Sequence, residues 1–237
     1  MKALGLCIAV GLGLSACAGG MSGGTTGNTN QNNNTNAVTQ YPIEAAMLNI
    51  YTKESRETLT ATVGNQSISA DIQVTPKGRM VFNNKSVQGA EVNTITKSNN
   101  KIINQSVAIN YFTKNPLVFH GFTDSSGEYS LATQTSTIPK VARVGDSAEL
   151  ITEKVYSDSS MRKKIGTYKQ NWSLARDTNN TAWFCIETSD NLLLSSDSKG
   201  TSSECYKINA KGDVLASKVT LTQPNGSNTK TVTFNSQ

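Results

Sequence analysis

Residues 57–74 read ETLTATVGNQSISADIQV, and the pattern of this stretch indicates the fold class. On either side of Gly64-Asn65, polar and apolar side chains alternate, as they do in strands that bury one face. Glycine and asparagine tolerate the positive φ angles of a two-residue hairpin turn. The stretch therefore predicts two antiparallel strands joined at Gly64-Asn65.

The same pattern of short alternating strands and polar turns continues toward the end of the chain. No helical segments separate these strands, so the crossovers of a parallel α/β sheet are not expected. We therefore predict a mainly β fold, an antiparallel meander that forms a barrel or a strongly curved sheet. Its predicted strands are 57–63, 66–74, 92–96, 101–112, 117–123, 128–134, 149–156, 166–174, 181–188, 204–209, 214–222 and 230–235.

One segment before these strands, Tyr41–Glu57 (YPIEAAMLNIYTKESRE), has helical periodicity instead. Its apolar residues recur every three or four positions, which predicts an amphipathic helix with one buried stripe. Pro42 suits the first helical position, and Glu44 suits the first turn, where the helix dipole favours a negative charge. We expect this helix to cover the open side of the sheet. The apolar stripe consists of Ile43, Ala46, Met47, Ile50 and Tyr51.

Composition excludes several classes of protein. The 237 residues include 22 Lys and Arg and 17 Asp and Glu, and only 16% are charged, too few for a coiled coil. No apolar run reaches the ~18–20 residues of a membrane-spanning helix. Basic residues are spread thinly, so nucleic acid is not a predicted partner. Residues 41–237 are interpreted as one β-rich domain, with two packed sub-blocks, 41–136 and 147–237, as the open alternative.

The N-terminus has the pattern of an export signal. Met1-Lys2 precedes a 12-residue apolar segment, residues 3–14, which is too short to span a bilayer and typical of a signal peptide. It ends in Leu14-Ser15-Ala16-Cys17, which resembles the lipobox of bacterial lipoproteins. This resemblance implies that residues 1–16 are removed and that the Cys17 thiol is acylated. The membrane, reached through the lipid at Cys17, is then a predicted partner. Ala18, where a retention signal often has Asp, favours the outer membrane.

Residues 17–40 follow as a predicted tether. Residues 18–40 are rich in Gly, Asn and Thr, carry no charge and contain almost no large apolar side chain. A segment of this composition buries too little surface to offset the entropy of ordering, so we expect a disordered spacer. A flexible chain of this length typically reaches ~25–30 Å, which would hold a folded domain clear of the bilayer.

The cysteines predict one disulfide. Cys7 lies in the signal peptide and Cys17 is the predicted lipidation site, which leaves Cys185 and Cys205 inside predicted strands. An even pair in an exported protein is typical of a disulfide bond. Together with His120, the single histidine, these two cysteines make an incomplete metal site. No metal and no cofactor is predicted.

Residues that could carry catalysis do not form a motif. His120 lies in an apolar strand without a nucleophile elbow, which indicates a structural, hydrogen-bonded histidine. The sequence contains neither the motif of a phosphate-binding glycine loop nor that of a calcium-binding loop. Several carboxylates lie in or beside predicted strands, and we interpret them as ion-paired or solvated. They are Asp71, Glu91, Glu149 and Glu187.

Two features are candidates for ligand binding. Trp172 and Trp183 are expected to face one another across a strand pair, either as core or as the wall of a ligand cavity. The stretch Asp190–Ser203 carries an apolar run at Leu192–Leu194 and is expected to form a loop closed by the predicted disulfide. Packing is the default role of both features.

The leading functional hypothesis is an outer-membrane-anchored lipoprotein with a soluble β domain and no catalytic activity. Its expected role is either organisation of the cell envelope or binding of a lipid, another apolar ligand or a protein. The order of tether, amphipathic helix and β meander is similar to that of periplasmic lipid or lipoprotein carriers with an open barrel. A cavity between the helix and the sheet is the feature expected of such a carrier. The alternative is a surface-displayed lipoprotein that binds a host or partner macromolecule. A third hypothesis is a carboxylate-based hydrolase, which would need convergent carboxylates with raised pKa values.

Overall fold

The computed structural model describes residues 37–134, 136–191, 200–225 and 228–237. One α-helix, α1 (Ile43–Thr52), occurs in the described part of the chain. The strands are β1 (Gln40–Tyr41), β2 (Ser55–Val63), β3 (Gln66–Phe82), β4 (Lys85–Ser98), β5 (Lys101–Lys114), β6 (Leu117–Asp124), β7 (Tyr129–Gln134), β8 (Ala142–Arg143), β9 (Ser147–Tyr156), β10 (Lys164–Arg176), β11 (Thr181–Asn191), β12 (Gly200–Asn209), β13 (Val214–Asn225) and β14 (Asn228–Ser236).

Twelve of these strands form a closed antiparallel barrel, which confirms the predicted mainly β meander. Their order around the barrel is β10-β11-β12-β13-β14-β2-β3-β4-β5-β6-β7-β9, and the short strands β1 and β8 pair separately. Each predicted strand corresponds to one barrel strand. Strands of both sub-blocks, 41–136 and 147–237, lie in this one sheet. Closure gives each of the twelve strands a neighbour on both sides.

The first hairpin sets which side chains face the interior. Leu59 pairs with Ala70 and Val63 pairs with Gln66, so Gly64-Asn65 is the predicted two-residue turn. Gly64 has a φ of +59°, which suits glycine. Because side chains alternate along a strand, the buried residues of β2 and β3 share the inner face, and polar residues between them face outward.

The hairpin between β3 and β4 extends well beyond its predicted strands, which were 66–74 and 92–96. It continues to a turn at Asn83 and Asn84, whose φ angles are 47° and 60°. At the end of this hairpin, the Phe82 ring stacks on Tyr111 with 4.0 Å between ring centroids. This contact belongs to a small apolar cluster that is separate from the main core.

Helix α1 closes one end of the barrel and is shorter than predicted. It spans ten residues, and Lys53 already has extended backbone angles. Pro42 is the N-cap residue rather than the first helical position. The predicted stripe is buried except at Ile50, which is half-buried. Tyr51 reaches the interior, where its ring centroid lies 5.8 Å from that of Phe112.

The junction between α1 and the turn after β12 is tight. Asn49 donates a side-chain hydrogen bond to the Gly212 carbonyl oxygen at 3.0 Å. A Cβ atom on Gly212 would lie 3.2 Å from the Ala46 backbone nitrogen, and its φ is +80°. Glycine therefore permits this close approach. No helix within the described ranges is long and apolar enough to cross a membrane.

The last residues of the predicted tether contact the barrel. The Val38 N–H donates to the Asn179 carbonyl oxygen at 2.8 Å, and Thr39 accepts from the Val144 N–H at 3.0 Å. Gln40 pairs with Arg143 in the small β1–β8 sheet. The predicted tether, residues 17–40, thus overlaps the folded part at its C-terminal end, because backbone pairing offsets the ordering cost there.

Candidate ligand-binding cavity

The barrel wall has a gap between β13 and β2. β14 pairs with β13 only from Lys218 onward, and it pairs with β2 only at Leu59 and Thr60. The Ser217 N–H donates to Ser236 Oγ at 3.1 Å, and the Gln237 N–H donates to the Thr58 carbonyl oxygen at 3.3 Å. Residues 214–216 of β13 and 55–57 of β2 extend past these last contacts. The gap lies at the end of the barrel that α1 covers, and it opens a path from the surface to the interior.

A cavity of about 560 Å³ lies behind this gap, between the end of α1 and the barrel wall. This volume is within the range of small-molecule binding sites. Its inner wall is aliphatic, and Val214 and Leu215 at its mouth are exposed. The aliphatic residues lining the cavity are Ile50, Ile72, Val74, Val92, Val214, Leu215, Ala216 and Val219.

Buried polar groups without partners also line the cavity. The Tyr206 hydroxyl donates to Glu204 Oε2 at 2.9 Å, but Glu204 Oε1 has no hydrogen-bond partner among the described residues. The Tyr51 hydroxyl also has no partner there. Both Glu204 and Tyr51 are 2% exposed. A buried polar atom without a partner is costly, so these atoms mark a place where a ligand or water would be stabilising.

A second carboxyl group, that of Glu57, lies in the same cavity. Ser217, on the opposite edge of the gap, donates a hydrogen bond to Glu57 Oε2. Burial raises the pKa of Glu57. Burial also raises the pKa of Glu204 to about 7, and the negative charge of Glu57 adds to this shift. Two carboxyl groups with raised pKa values therefore converge in one cleft.

The cations near the mouth already have partners. Lys53 forms an ion pair with Asp213 at 3.3 Å, which links the end of α1 to the turn before β13. Arg56 donates to Gln73 Oε1 at 2.8 Å on the outer surface. Lys218 lies 4.2 Å from the centre of a tryptophan ring outside the barrel. Positive charge is thus held at the rim, whereas the buried ionisable groups of the cavity are acids and phenols.

A second, water-sized cavity of about 10 Å³ lies deeper in the barrel, on another side of Tyr51. It is lined by Glu153, whose Oε1 accepts a hydrogen bond from Ser130 at 3.2 Å and whose Oε2 accepts one from Gln170 at 3.3 Å. Burial raises the pKa of Glu153 to about 8. Because both of its oxygens have partners, this carboxyl group is part of the packed interior.

The carboxylates singled out from the sequence do not form this site. They lie on the outer face of the barrel, at different places. Asp71 accepts a hydrogen bond from Thr58 at 2.7 Å, and Glu91 forms an ion pair with Lys77 at 2.7 Å. The interpretation as ion-paired or solvated side chains therefore fits the structure. The four residues are Asp71, Glu91, Glu149 and Glu187.

The two tryptophans do not face one another. Trp172 pairs with Ile186 on the inner face and is buried, whereas Trp183 is three residues from Ile186 and faces outward. The Trp183 indole N–H donates to Asp177 at 3.1 Å. Neither tryptophan lines the two cavities described above. Trp172 and Trp183 are thus not the wall of this ligand cavity, because the two-residue period of a strand places them on opposite faces.

The predicted disulfide between Cys185 and Cys205 is confirmed. These residues are directly opposite on β11 and β12, with Cα atoms 4.0 Å apart. His120 is half-buried, and its Nε2 has no hydrogen-bond partner among the described residues, contrary to the expected hydrogen-bonded histidine. Burial lowers its pKa, and the Lys85 charge adds to this. No group of three metal-ligating side chains was found in the described ranges.

The acids of the cavity were missed in the sequence, although a signal was present. Glu57 is two residues from the buried Leu59, and Glu204 is four residues from the buried Ile208. Each acid therefore lies on the same face of its strand as a buried apolar residue. A carboxylate in phase with inward-facing apolar residues is a candidate interior acid. Cys17 and Leu192–Leu194 lie outside the described residues.

Comparison with protein-family models, curated proteins and solved structures finds no match to this chain. The candidate site is therefore defined by the geometry of its own residues.

Proposed function

We propose that this chain is an outer-membrane lipoprotein, anchored through Cys17, whose barrel binds a small ligand with an apolar body and a polar end. The cavity of about 560 Å³ between α1 and the barrel wall carries this proposal. Its aliphatic wall suits an apolar body, and the buried oxygens of Glu204 and Tyr51 suit a polar end. A cavity between the helix and the sheet is the feature expected of a carrier, and the lipobox pattern at residues 14–17 supports the anchor.

The ligand is tested by mass spectrometry of the mature chain purified from membranes. We expect native spectra to contain an excess mass that disappears on denaturation. Val74→Phe places a larger side chain on the cavity wall and should abolish the excess mass. Thr62→Phe adds the same bulk on the exposed face of β2 and should keep it. An excess mass that survives Val74→Phe would assign the bound molecule to another surface.

The anchor is tested by metabolic labelling with palmitate. Cys17→Ala should abolish labelling, and Cys7→Ala, within the predicted signal peptide, should leave it unchanged. Labelling of the Cys17→Ala chain would refute the anchor. Protease added to intact cells should leave the domain intact if it faces the periplasm. Release of the domain would favour the surface-displayed alternative, which binds a host or partner macromolecule.

A carboxylate-based hydrolase is the second candidate function, because Glu57 and Glu204 share one cleft. Such enzymes hold one acid protonated and the other ionised. Burial raises the pKa of both Glu57 and Glu204, which would allow this division of roles, and the aliphatic wall of the cavity is what favours binding over hydrolysis. The test is release of nitrophenol from a panel of nitrophenyl glycosides and esters. Turnover that both Glu57→Gln and Glu204→Gln abolish would replace the binding proposal.

A further inference from the structure

The polar floor of the cavity has a specific chemical character. It is formed by two carboxyl groups, Glu57 and Glu204, two phenols, Tyr51 and Tyr206, and the Ser217 hydroxyl, all of them buried or half-buried. The Ser217 and Tyr206 hydroxyls already donate their protons to these carboxyl groups. The remaining oxygen of Glu204 and the Tyr51 hydroxyl have no described partner.

We infer that this cavity binds the ammonium group of a protonated primary amine on an aliphatic chain, with Glu204 and Glu57 as its counter-ions. The inference rests on the proposed function and names the chemical class of the ligand's polar end. An alkylammonium group has three N–H donors and no acceptor, which matches a floor rich in oxygen acceptors. Its aliphatic chain would lie along the wall that ends at Val214 and Leu215.

Charge favours an amine over other polar ends. A carboxylate or phosphate in the cavity would face the two acids, and the cations that could offset this repulsion have partners at the rim. Lys53 pairs with Asp213, and Lys218 lies against a tryptophan ring. An alcohol would satisfy the Glu204 oxygen without supplying charge. Only a cation removes the cost of ionising Glu204 and Glu57 side by side away from water.

The raised pKa values agree with this geometry. Burial and the neighbouring Glu57 charge hold the pKa of Glu204 at about 7, so near neutral pH a large fraction of chains with an empty cavity carry a proton there. A bound ammonium group favours the ionised carboxylate and would displace that proton. The resulting ion pair is desolvated and hydrogen-bonded, the arrangement in which charge-assisted hydrogen bonds are strongest.

The test compares three ligands that share one alkyl chain length and differ in their polar end. The purified full-length protein is kept in a single non-ionic detergent throughout. Isothermal titration calorimetry is performed with hexylamine, 1-hexanol and hexanoate. We expect hexylamine to bind at least ~10-fold more tightly than the other two, since a charge-assisted hydrogen bond typically contributes this much. Glu204→Gln should weaken the binding of hexylamine by a similar ~10-fold and leave the affinity for hexanol unchanged within about two-fold.

Two further variants keep the test decisive. Glu187→Gln, on the outer face, should bind hexylamine as the wild type does, because this acid does not line the cavity. If Glu204→Gln does not fold, Glu57→Gln provides the same comparison at a half-buried position. Thermal unfolding of each variant distinguishes lost binding from lost structure.

Each outcome separates the inference from the proposed function. Preferential binding of hexylamine that depends on Glu204 supports both. Equal binding of hexanol, or tighter binding of hexanoate, refutes the amine inference and leaves a ligand-binding cavity. Hexylamine binding that Glu204→Gln and Glu57→Gln leave unchanged also refutes the inference. If none of the three ligands binds, the proposed binding of a small apolar ligand fails as well.

Discussion

Glu153→Gln should make the stability of the barrel much less dependent on pH. Glu153 is 2% exposed, and burial raises its pKa to about 8. The Ser130 oxygen accepts the Phe122 N–H at 2.8 Å, which leaves the Ser130 hydroxyl proton to be donated to Glu153. Tyr51 is the other titratable group that lines the small cavity, and burial raises its pKa well above its usual value, so it stays neutral.

The sign of the effect follows from proton binding. Between the ordinary pKa of 4.5 and the folded pKa of about 8, the folded chain keeps a proton on Glu153 that the unfolded chain has lost. Stability from this site is therefore fully present below pH 4.5 and is lost as pH rises through about 8. This shift in pKa lowers the free energy of unfolding by about 5 kcal/mol at pH 9 relative to acidic solution, at ~1.4 kcal/mol for each unit of pKa shift.

The assay is urea unfolding between pH 5 and 9, with the disulfide intact. Glutamine cannot ionise, so between pH 5 and 9 the free energy of unfolding of Glu153→Gln should fall by about 4 kcal/mol less than that of the wild type. Glu204 contributes a further loss in both proteins, because its pKa is also raised, to about 7. The difference between the two curves thus reports Glu153 alone. Glu187→Gln, on the outer face, should retain the wild-type slope.

Parallel curves for wild type and Glu153→Gln, within ~1 kcal/mol from pH 5 to 9, would contradict the raised pKa of Glu153. They would mean that the folded chain hydrates or pairs the Glu153 carboxylate, so that its ionisation costs no more than in the unfolded chain. A uniform loss of stability at every pH would have another cause. It would indicate that the amide cannot satisfy both Ser130 and Gln170.

Three further predictions concern the framework. Gly121→Ala should lower the free energy of unfolding by ~3 kcal/mol or more, because its Cβ atom would lie 2.1 Å from a backbone carbonyl oxygen. Gly145→Ala, whose Cβ atom would have no neighbour within 4 Å, should lower it by only about 1 kcal/mol. Equal losses for the two variants in chemical denaturation would contradict this. Replacing Cys185 and Cys205 with Ser should cost ~3 kcal/mol, and an unchanged urea midpoint would exclude a stabilising bond. Lys53→Ala should change stability by less than ~1 kcal/mol because its ion pair is exposed, and a larger thermal shift would assign it a structural role.

The fold could be predicted because strand alternation is a local property. Residues 57–74 contain both strands and the turn of one hairpin, and no distant residue is needed to interpret them. The extension of the next hairpin was missed because Pro76 and Gly78 resemble loop signals. In the structure, a shift in pairing register between these residues allows the strand to continue, and Gly78 adopts a φ of +70°.

The site was much less predictable, because it depends on how the barrel closes. Glu57 and Ser217 are separated by 160 positions in sequence, and they meet beside the end of β14, between β13 and β2. Alternation places Glu57 and Glu204 on the inner face, but it does not place them in the same part of the interior. That requires the register of several strand pairs, which a local pattern does not contain.

The two interior acids, Glu153 and Glu204, differ in one respect that separates structure from binding. Both Glu153 oxygens have partners beside a water-sized cavity, whereas Glu204 has an oxygen without a described partner beside the large one. Both acids destabilise the barrel at high pH, since an apolar residue at either position would avoid the ionisation cost. Only Glu204 has a group left to offer a ligand. Glu153→Gln should therefore alter the pH dependence of stability without weakening the binding of hexylamine. Equal losses of hexylamine affinity in Glu153→Gln and Glu204→Gln would show that the two cavities act as one site.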